Sequence, residues 1–335
     1  MREPAFWWRP PGFLAAALAP LGALYGAVAA RRMARRGRRA RVPVICVGNL
    51  TLGGSGKTPS AIAVARMLQK AGERPAFLTR GYGGRLAGPV AVMPVHTAAD
   101  VGDEPLLLAR VAPTIVARDR VAGAGAVPAD ATVIVMDDGL QNASLAKSIS
   151  VVVLDGPRGI GNGKVFPAGP LRAPLADQLA RCQAVLVIGD AAAAANGIIA
   201  ATRQRGRAVL TGRLVPDVAA VAQLSGRDVL AFAGIGNPEK FYATLRAAGI
   251  AVAEQRSFAD HHVFTAAEAA ELIAHADAHG LTLVTTEKDH ARMSGQTSLA
   301  ALAARSVTLP VTLEIDTADV LAQLAADVLH DRGRG

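Results

Sequence analysis

The sequence predicts an α/β chain in three parts: an N-terminal membrane-associated helix, a large domain built on a parallel sheet, and a second, smaller α/β domain. Three observations carry this expectation. From residue 42 onward, short Val/Ile/Leu runs alternate with helical stretches. One run, "VPVICVG" at 42–48, leads through the glycine-rich "NLTLGGSGKT" at 49–58 into a helical stretch. Near the start, "FLAAALAPLGALYGAVAA" at 13–30 contains no charge.

The first 41 residues stand apart. They hold nine arginines and one glutamate, a formal +8 of the chain's +9, which leaves a nearly neutral remainder. Seven of those arginines lie at 31–41, directly after the apolar run, and Trp7 and Trp8 precede it. Trp and Tyr favour bilayer interfaces and arginine the cytoplasmic side. A basic end beside an apolar run suits an anionic membrane surface, and a near-neutral body argues against a nucleic-acid partner. The positive charge follows the apolar part, the reverse of a cleaved signal peptide. Pro20, Gly22, Gly26 and a high alanine content leave open whether the helix spans the bilayer or lies in it.

With 335 residues, 51% of them hydrophobic but only 4% aromatic, alanine, valine and leucine must fill a large core. Strand-like runs lie at 43–48, 75–79, 131–136, 150–154, 184–188, 207–212, 228–232 and 281–285. Helical stretches such as 58–71, 104–111, 238–248 and 265–279 separate many of them. Continuous apolar strands alternating with helices predict a parallel sheet covered on both faces. The boundaries read as a membrane segment at 1–41, a first domain at 42–212, a linker at 213–223 and a second domain at 224–307. A return linker and terminal helix occupy 308–335. Cys46 and Cys182 sit in apolar stretches without paired spacing, as buried thiols in a reducing cytoplasm.

Strand, glycine loop and helix at 42–71 form a phosphate-loop NTPase-like unit. Gly53, Gly54 and Gly56 let backbone N–H groups curl around phosphate oxygens, and the helix N-terminus adds positive character. Thr51 stands where the common pattern has its first glycine. Thr51 and Ser55 complete the loop, Lys57 reaches the β- and γ-phosphates, and the Thr58 hydroxyl suits Mg²⁺. "ATVIVMDDGLQ" at 131–141 is an apolar strand ending in Asp137 and Asp138, carboxylates placed for a magnesium nucleotide.

Other motifs leave alternatives open. Asp103 and Glu104 in "VGDEP" are a helix cap or chemistry. "FADHH" at 258–262 is a surface cluster, a weak metal site or half of a catalytic dyad. "GNGKVFPAGPLR" at 161–172, with Lys164 and Arg172, closes over phosphates or merely connects. "TTEKD" at 285–289 loosely matches the base-reading motif of GTPases and otherwise caps a helix.

In order, "VGNLTLGGSGKTP", "RGYGG", "VGDEP", "DDGLQ", "GNGKVFPAGPLR", "FAGIGNP", "FADH" and "TEKD" resemble the tetraacyldisaccharide 4′-kinase family over residues 42 to 290. The resemblance implies ATP-dependent phosphorylation of the 4′-hydroxyl of an acylated glucosamine disaccharide 1-phosphate, giving lipid IVA, at the cytoplasmic face of the inner membrane. It implies no obligate protein partner. It also implies that Asp103 is a base oriented by His261, or by its neighbour His262. Thr58, Glu104, Asp137, Asp138 and Gln141 would surround Mg²⁺, and Arg120 and Arg172 would offset charge in transfer. The competing expectation is a membrane-tethered phosphate-loop ATPase or nucleotide switch, in which Gln141 would orient a water.

Overall fold

The computed structural model describes residues 3–330. The first two residues of the expected membrane segment, and 331–335 of the terminal one, lie outside the described residues. Thirteen strands are described: β1 Val44–Asn49, β2 Pro75–Thr79, β3 Val90–Ala91, β4 Thr114–Val116, β5 Val133–Asp137, β6 Ile149–Asp155, β7 Ala184–Ile188, β8 Ala208–Pro216, β9 Asp228–Ala233, β10 Ala251–Ser257, β11 Thr282–Thr285, β12 Val307–Thr308 and β13 Val311–Ile315. Nine form one sheet in the order β13-β8-β7-β6-β1-β5-β2-β4-β3. Its interior pairs are parallel, and the two edge pairs, β13 with β8 and β3 with β4, are antiparallel. A separate parallel sheet has the order β10-β9-β11-β12.

The apolar runs divide between two cores because successive side chains on a strand point to opposite faces. Ile45, Val47, Val133 and Val135 join Ala61, Val64, Ala65 and Leu68 of the helix Lys57–Lys70 on one face. That helix buries positions spaced i, i+3, i+4 and i+7, the stripe of an amphipathic helix. Val44, Cys46, Ile134 and Met136 fill the other face. The small sheet is likewise covered on both faces.

The expected linker at 213–223 is not one. Strand β8 runs on to Pro216 and pairs with β13, and the helix Val218–Leu224 buries Ala220 and Leu224 in the second core. The residues at the end of β8, half exposed to solvent, lack the continuous apolar signature and so read as a connection. The crossing at 308–316 takes the chain from β12 in the small sheet to β13 in the large one. The helix Ala318–His330 then places Leu321 and Ala325 in the first core.

The apolar segment forms the helix Phe13–Met33, 21 residues whose most apolar 18-residue stretch has a mean hydropathy of 1.8, long and apolar enough to cross a bilayer. One narrow face touches the body at Gly22 and Gly26. A Cβ on Gly22 would stand 2.8 Å from the Val165 carbonyl, so only glycine permits this approach. Phe13, Leu14, Leu21, Leu24, Tyr25 and Val28 are exposed. The tryptophan pair departs from its expected role as bilayer anchors. Trp7 is buried, donating its indole N–H to the Pro167 carbonyl, and Trp8 lies 3.5 Å beneath the Arg158 guanidinium.

Candidate active site

The phosphate loop leaves the end of β1, the strand between β5 and β6 in the large sheet. Parallel pairing brings Val47 opposite Asp137, so the carboxylates at the end of β5 lie beside the loop. Gly53 and Gly56 have φ of 90° and 88°, where a side chain is strained, and Gly56 precedes the helix that Lys57 begins. The segment 161–172 braces the loop from below. Leu52 N–H donates to the Pro170 carbonyl at 2.8 Å, and Arg172 N–H to the Leu50 carbonyl at 2.9 Å. Thr51 lends its carbonyl to Arg172 Nε at 2.8 Å. The segment therefore does not hang free, and its Arg172 lines the cleft. It lies between the amino-terminal helix and the loop.

A cleft of about 480 Å³ opens above the loop and separates the two sheet-based units. On the loop side, Lys57 Nζ lies 3.9 Å from Asp138. Burial pushes the Lys57 ammonium below its usual value, against the pull of Asp138. Asp138 has a φ of 52° and takes Arg172 Nη1 on both oxygens, at 2.9 and 3.1 Å. Burial would raise its carboxyl, but Arg172 and Lys57 outweigh it and hold the group well below the carboxylate range. Asp137 is the opposite case. It is fully buried, neither carboxyl oxygen has a hydrogen-bond partner, and burial followed by Glu104 and Asp138 pushes it up to about 7. The Thr58 and Ser55 hydroxyls are also buried and unpartnered.

Asp103 and Glu104 begin the helix Asp103–Ala109, with Asp103 Oδ1 accepting the Glu104 N–H at 2.9 Å. Four groups of the second unit meet the first across the cleft. His261 Nδ1 lies 3.5 Å and Arg292 Nε 3.4 Å from Asp103 Oδ2. Lys288 Nζ bonds Glu104 at 2.5 Å, and Lys240 Nζ bonds Asp155 at 2.8 Å. Burial raises the Asp103 carboxyl, but His261, Lys288 and Arg292 together bring it down to about 2. Burial lowers the His261 imidazole, yet its contact with Asp103 leaves it above the ordinary histidine value.

The two histidines of "DHH" part company. His261, at a φ of 55°, donates its backbone N–H to the Gly234 carbonyl, and its ring lies tilted against Tyr82 with centroids 4.8 Å apart. His262 turns away to Glu268, 3.0 Å from both carboxylate oxygens, against the Phe258 ring. Four expected residues stand apart from the cleft lining: Thr51, the fully buried Asp137, Gln141 and Arg120. Gln141 spends its amide nitrogen on the Asn49 carbonyl and Gln178 Oε1, both at 2.8 Å, which ties the loop's root. Arg120 is 2% exposed and donates to the Ala117 carbonyl at 2.6 Å.

Sequence reasoning passed over Lys240, Lys288, Arg292 and Asp155. The "TEKD" motif held the strongest available signal. Thr286 does cap the helix Glu287–Met293, and the same turn delivers Lys288 to the cleft.

Hard oxygen donors with unfilled bonding capacity suit a magnesium ion better than a soft metal. The orphaned Thr58 hydroxyl and Asp137 carboxylate fit it, beside Asp138 and Glu104.

The profile of the LpxK family, described as tetraacyldisaccharide-1-P 4′-kinase, matches residues 14–329. A protein of Nitrobacter winogradskyi named tetraacyldisaccharide 4′-kinase is 55% identical over 329 residues, covering 98% of this chain and 97% of the relative. One of the same name from a Methylobacterium species is 58% identical over 329 residues, covering 97% and 98%. Among solved structures, LpxK from Aquifex aeolicus, described as a complex with ATP, superposes with a TM-score of 0.70 at 24% identity. That match covers 95% of this chain and all of the other, a likeness of fold.

Proposed function

Because the chain belongs to the tetraacyldisaccharide-1-P 4′-kinase family, we propose that its cleft holds ATP on the loop side and the sugar hydroxyl between Asp103 and His261. The chain is a kinase of lipid A biosynthesis. It transfers the ATP γ-phosphoryl group to the 4′-hydroxyl of tetraacyldisaccharide 1-phosphate, giving lipid IVA. The observation that carries the site assignment is the Asp103–His261 contact across two units, in the same cleft as Lys57.

A sugar hydroxyl is a weak nucleophile, and a carboxylate that accepts its proton lets it attack. Asp103 is ionised at working pH and accepts that proton, and the His261 imidazole on the opposite wall lies 3.5 Å from its Oδ2. Loop N–H groups from Gly53 to Gly56 cradle the phosphates, and Lys57 neutralises them. Thr58, Glu104, Asp137 and Asp138 would hold Mg²⁺, which supplies charge neutralisation at the phosphates. Closing the second unit over the loop excludes water, so ATP is spared until the acceptor arrives. A side chain on Gly236 would meet the Gly54 amide nitrogen at 2.8 Å, which shows how tightly the walls approach. A switch that hydrolyses nucleotide would need Gln141 free to orient water, and its amide nitrogen is committed elsewhere.

The amphiphilic acceptor places the enzyme at the cytoplasmic face of the inner membrane, with the exposed side of Phe13–Met33 and the arginines that follow it on the lipid. Replacing Leu21, Leu24 and Val28 with serine should release the protein from anionic vesicles without changing ATP affinity. Unchanged co-sedimentation would move the lipid surface elsewhere. The primary test is ³²P transfer from ATP to purified disaccharide 1-phosphate with the product position determined. Phosphate appearing anywhere but O4′, or ATP hydrolysis without acceptor, would overturn the reading.

A further inference from the structure

The sequence nominated Arg172 and Arg120 to offset charge during transfer, and the structure shows how their donors are used. Arg172 gives Nη1 to Asp138 and Nε to Thr51. Arg120 retains an unpartnered Nε but is shut away from the cleft, with Nη1 on its own loop. Arg292 differs from both. It lines the cleft, is 8% exposed, and leaves both Nε and Nη1 without a hydrogen-bond partner. Only Nη2 is spent, on Asp289 Oδ1 at 2.5 Å. Asp289 is itself fully buried and fixed by the Gly234 N–H at 3.0 Å and the Thr286 hydroxyl at 2.6 Å. The guanidinium is thus held by one corner with its other face toward Asp103 Oδ2, 3.4 Å from Nε.

A buried cation with free N–H donors is costly unless something anionic completes it. Asp103 supplies part of that charge at a distance too long for a good hydrogen bond. In the reaction proposed above, the acceptor oxygen forms a bond to the γ-phosphorus, the bond from that phosphorus to the ADP oxygen breaks, and the hydroxyl proton passes to Asp103. Neutralising Asp103 removes the counter-charge facing Arg292 at the moment when the phosphoryl oxygens need it. We propose that Arg292 is a further phosphoryl-binding residue, carried by the second unit and presenting Nε–H and Nη1–H to the group in transfer. This rests on the reading of Asp103 as the base. The "TEKD" turn then has two functions, with Thr286 and Asp289 aiming Arg292 and Lys288 bridging to Glu104.

The test uses full-length Arg292→Met and Arg292→Lys in detergent micelles. Measurements are ³²P transfer, ATP affinity and affinity for ADP–aluminium fluoride, which mimics the transferring phosphoryl group. Arg292→Met should lower kcat about hundredfold or more, the usual loss when one preorganised donor to developing charge is removed. ADP–aluminium fluoride binding should weaken in parallel while ATP binding holds, and Arg292→Lys should recover part of both. A kcat near wild type would overturn the proposal. So would a raised acceptor KM with kcat intact, which would place Arg292 on the acceptor's own phosphate. A lowered kcat with unchanged fluoride affinity would also overturn it, leaving Arg292 to position Asp103. If Arg292→Met does not fold, Arg292→Lys carries the same test, since it keeps the charge and loses the planar fork. Asp103→Asn is the control: high activity there would sink the base reading whatever Arg292 does.

Discussion

The loop wall of the cleft presents Asp103, Glu104 and Asp138 beside Lys57, Arg80 and Arg172, whereas the facing wall presents Lys240, His261, Lys288 and Arg292 beside Asp260 and Glu287. The walls also differ in how they are built. Most of the loop wall grows from ends of strands buried on both faces, with Asp137 and Asp138 at the end of β5 and Asp155 at the end of β6. The facing wall hangs on a loop at His261, on the first turn of Pro238–Ala247 and on the short helix Glu287–Met293. Both walls carry both signs, but the contacts between them join acids of the loop wall, Asp103 and Glu104, to cations and the imidazole of the facing one, Arg292, Lys288 and His261. These cross-wall pairs make the electrostatic environment of transfer depend on the two units coming together, a physical basis for coupling chemistry to closure.

The comparison can be broken hardest at the loop. Lys57→Ala should lower phosphoryl transfer about a thousandfold or more, by removing a fixed positive charge from the phosphates. The fold should survive, because the loop is braced by β1 and by the 161–172 segment. Circular dichroism beside the ³²P assay checks both, and full activity in a folded variant would remove the loop from the mechanism.

Next comes the contact between the walls. Asp103→Ala and His261→Ala should each lower kcat by roughly 10²–10⁴. The double variant should be little worse than the more damaged single one, since groups acting as a unit are not additive. His262→Ala should be mild, because its ring serves Glu268. Multiplicative losses in the double-variant cycle would dissolve the pair.

A smaller effect concerns pH. Asp137 is raised from the ordinary carboxylate value to about 7 by burial, then Glu104 and Asp138. A carboxyl raised on folding contributes stability that is fully present below its unfolded value and is lost as pH rises through the folded one. In divalent-free buffer, stability should therefore fall by about 1 kcal/mol between pH 6 and 8, one unit of titration being worth roughly that much. Asp137→Asn should flatten the dependence in a calorimetric series. A wild-type curve already flat across that window would mean Asp137 stays ionised.

The smallest effect belongs to the partly exposed bridge between the walls. Lys240→Ala removes the partner of Asp155, and with Lys240 30% exposed the stability change should be about 1 kcal/mol or less. Screening by salt should erase most of it. A large, salt-insensitive loss in urea titration would mean the bridge is buried more deeply than its side chains suggest.

Much of the loop wall was legible in the sequence. Strand, glycine loop, lysine and helix are contiguous, and the second strand ends in adjacent aspartates, so the local pattern names both partners of a phosphate site. The facing wall was less so. His261, Lys288 and Arg292 are scattered over more than thirty residues, and each taken singly looks like a surface side chain. Strand β10, "AVAEQRS", was missed because its residues are exposed or half-exposed and carry charge. The expected linker dissolved for a related reason: the end of β8, paired between β7 and β13, is half exposed rather than continuously apolar.

What the sequence by itself determined is what local backbone chemistry determines: the phosphate loop, the buried β1, β5 and β6, and the apolar helix near the start. Such features follow from residue type and spacing along a few turns of chain. Pairing was decided only by the tertiary structure. Two adjacent histidines are equivalent as letters, yet a backbone bond from His261 to Gly234 sends one ring to Asp103 and the other to Glu268. The arginines are likewise equivalent until their partners are known. Arg172 is consumed by Asp138, while Arg292, gripped at one nitrogen by Asp289, keeps two donors for the cleft. Donor capacity left after packing is a property of distances between remote segments, and no spacing along the chain encodes it.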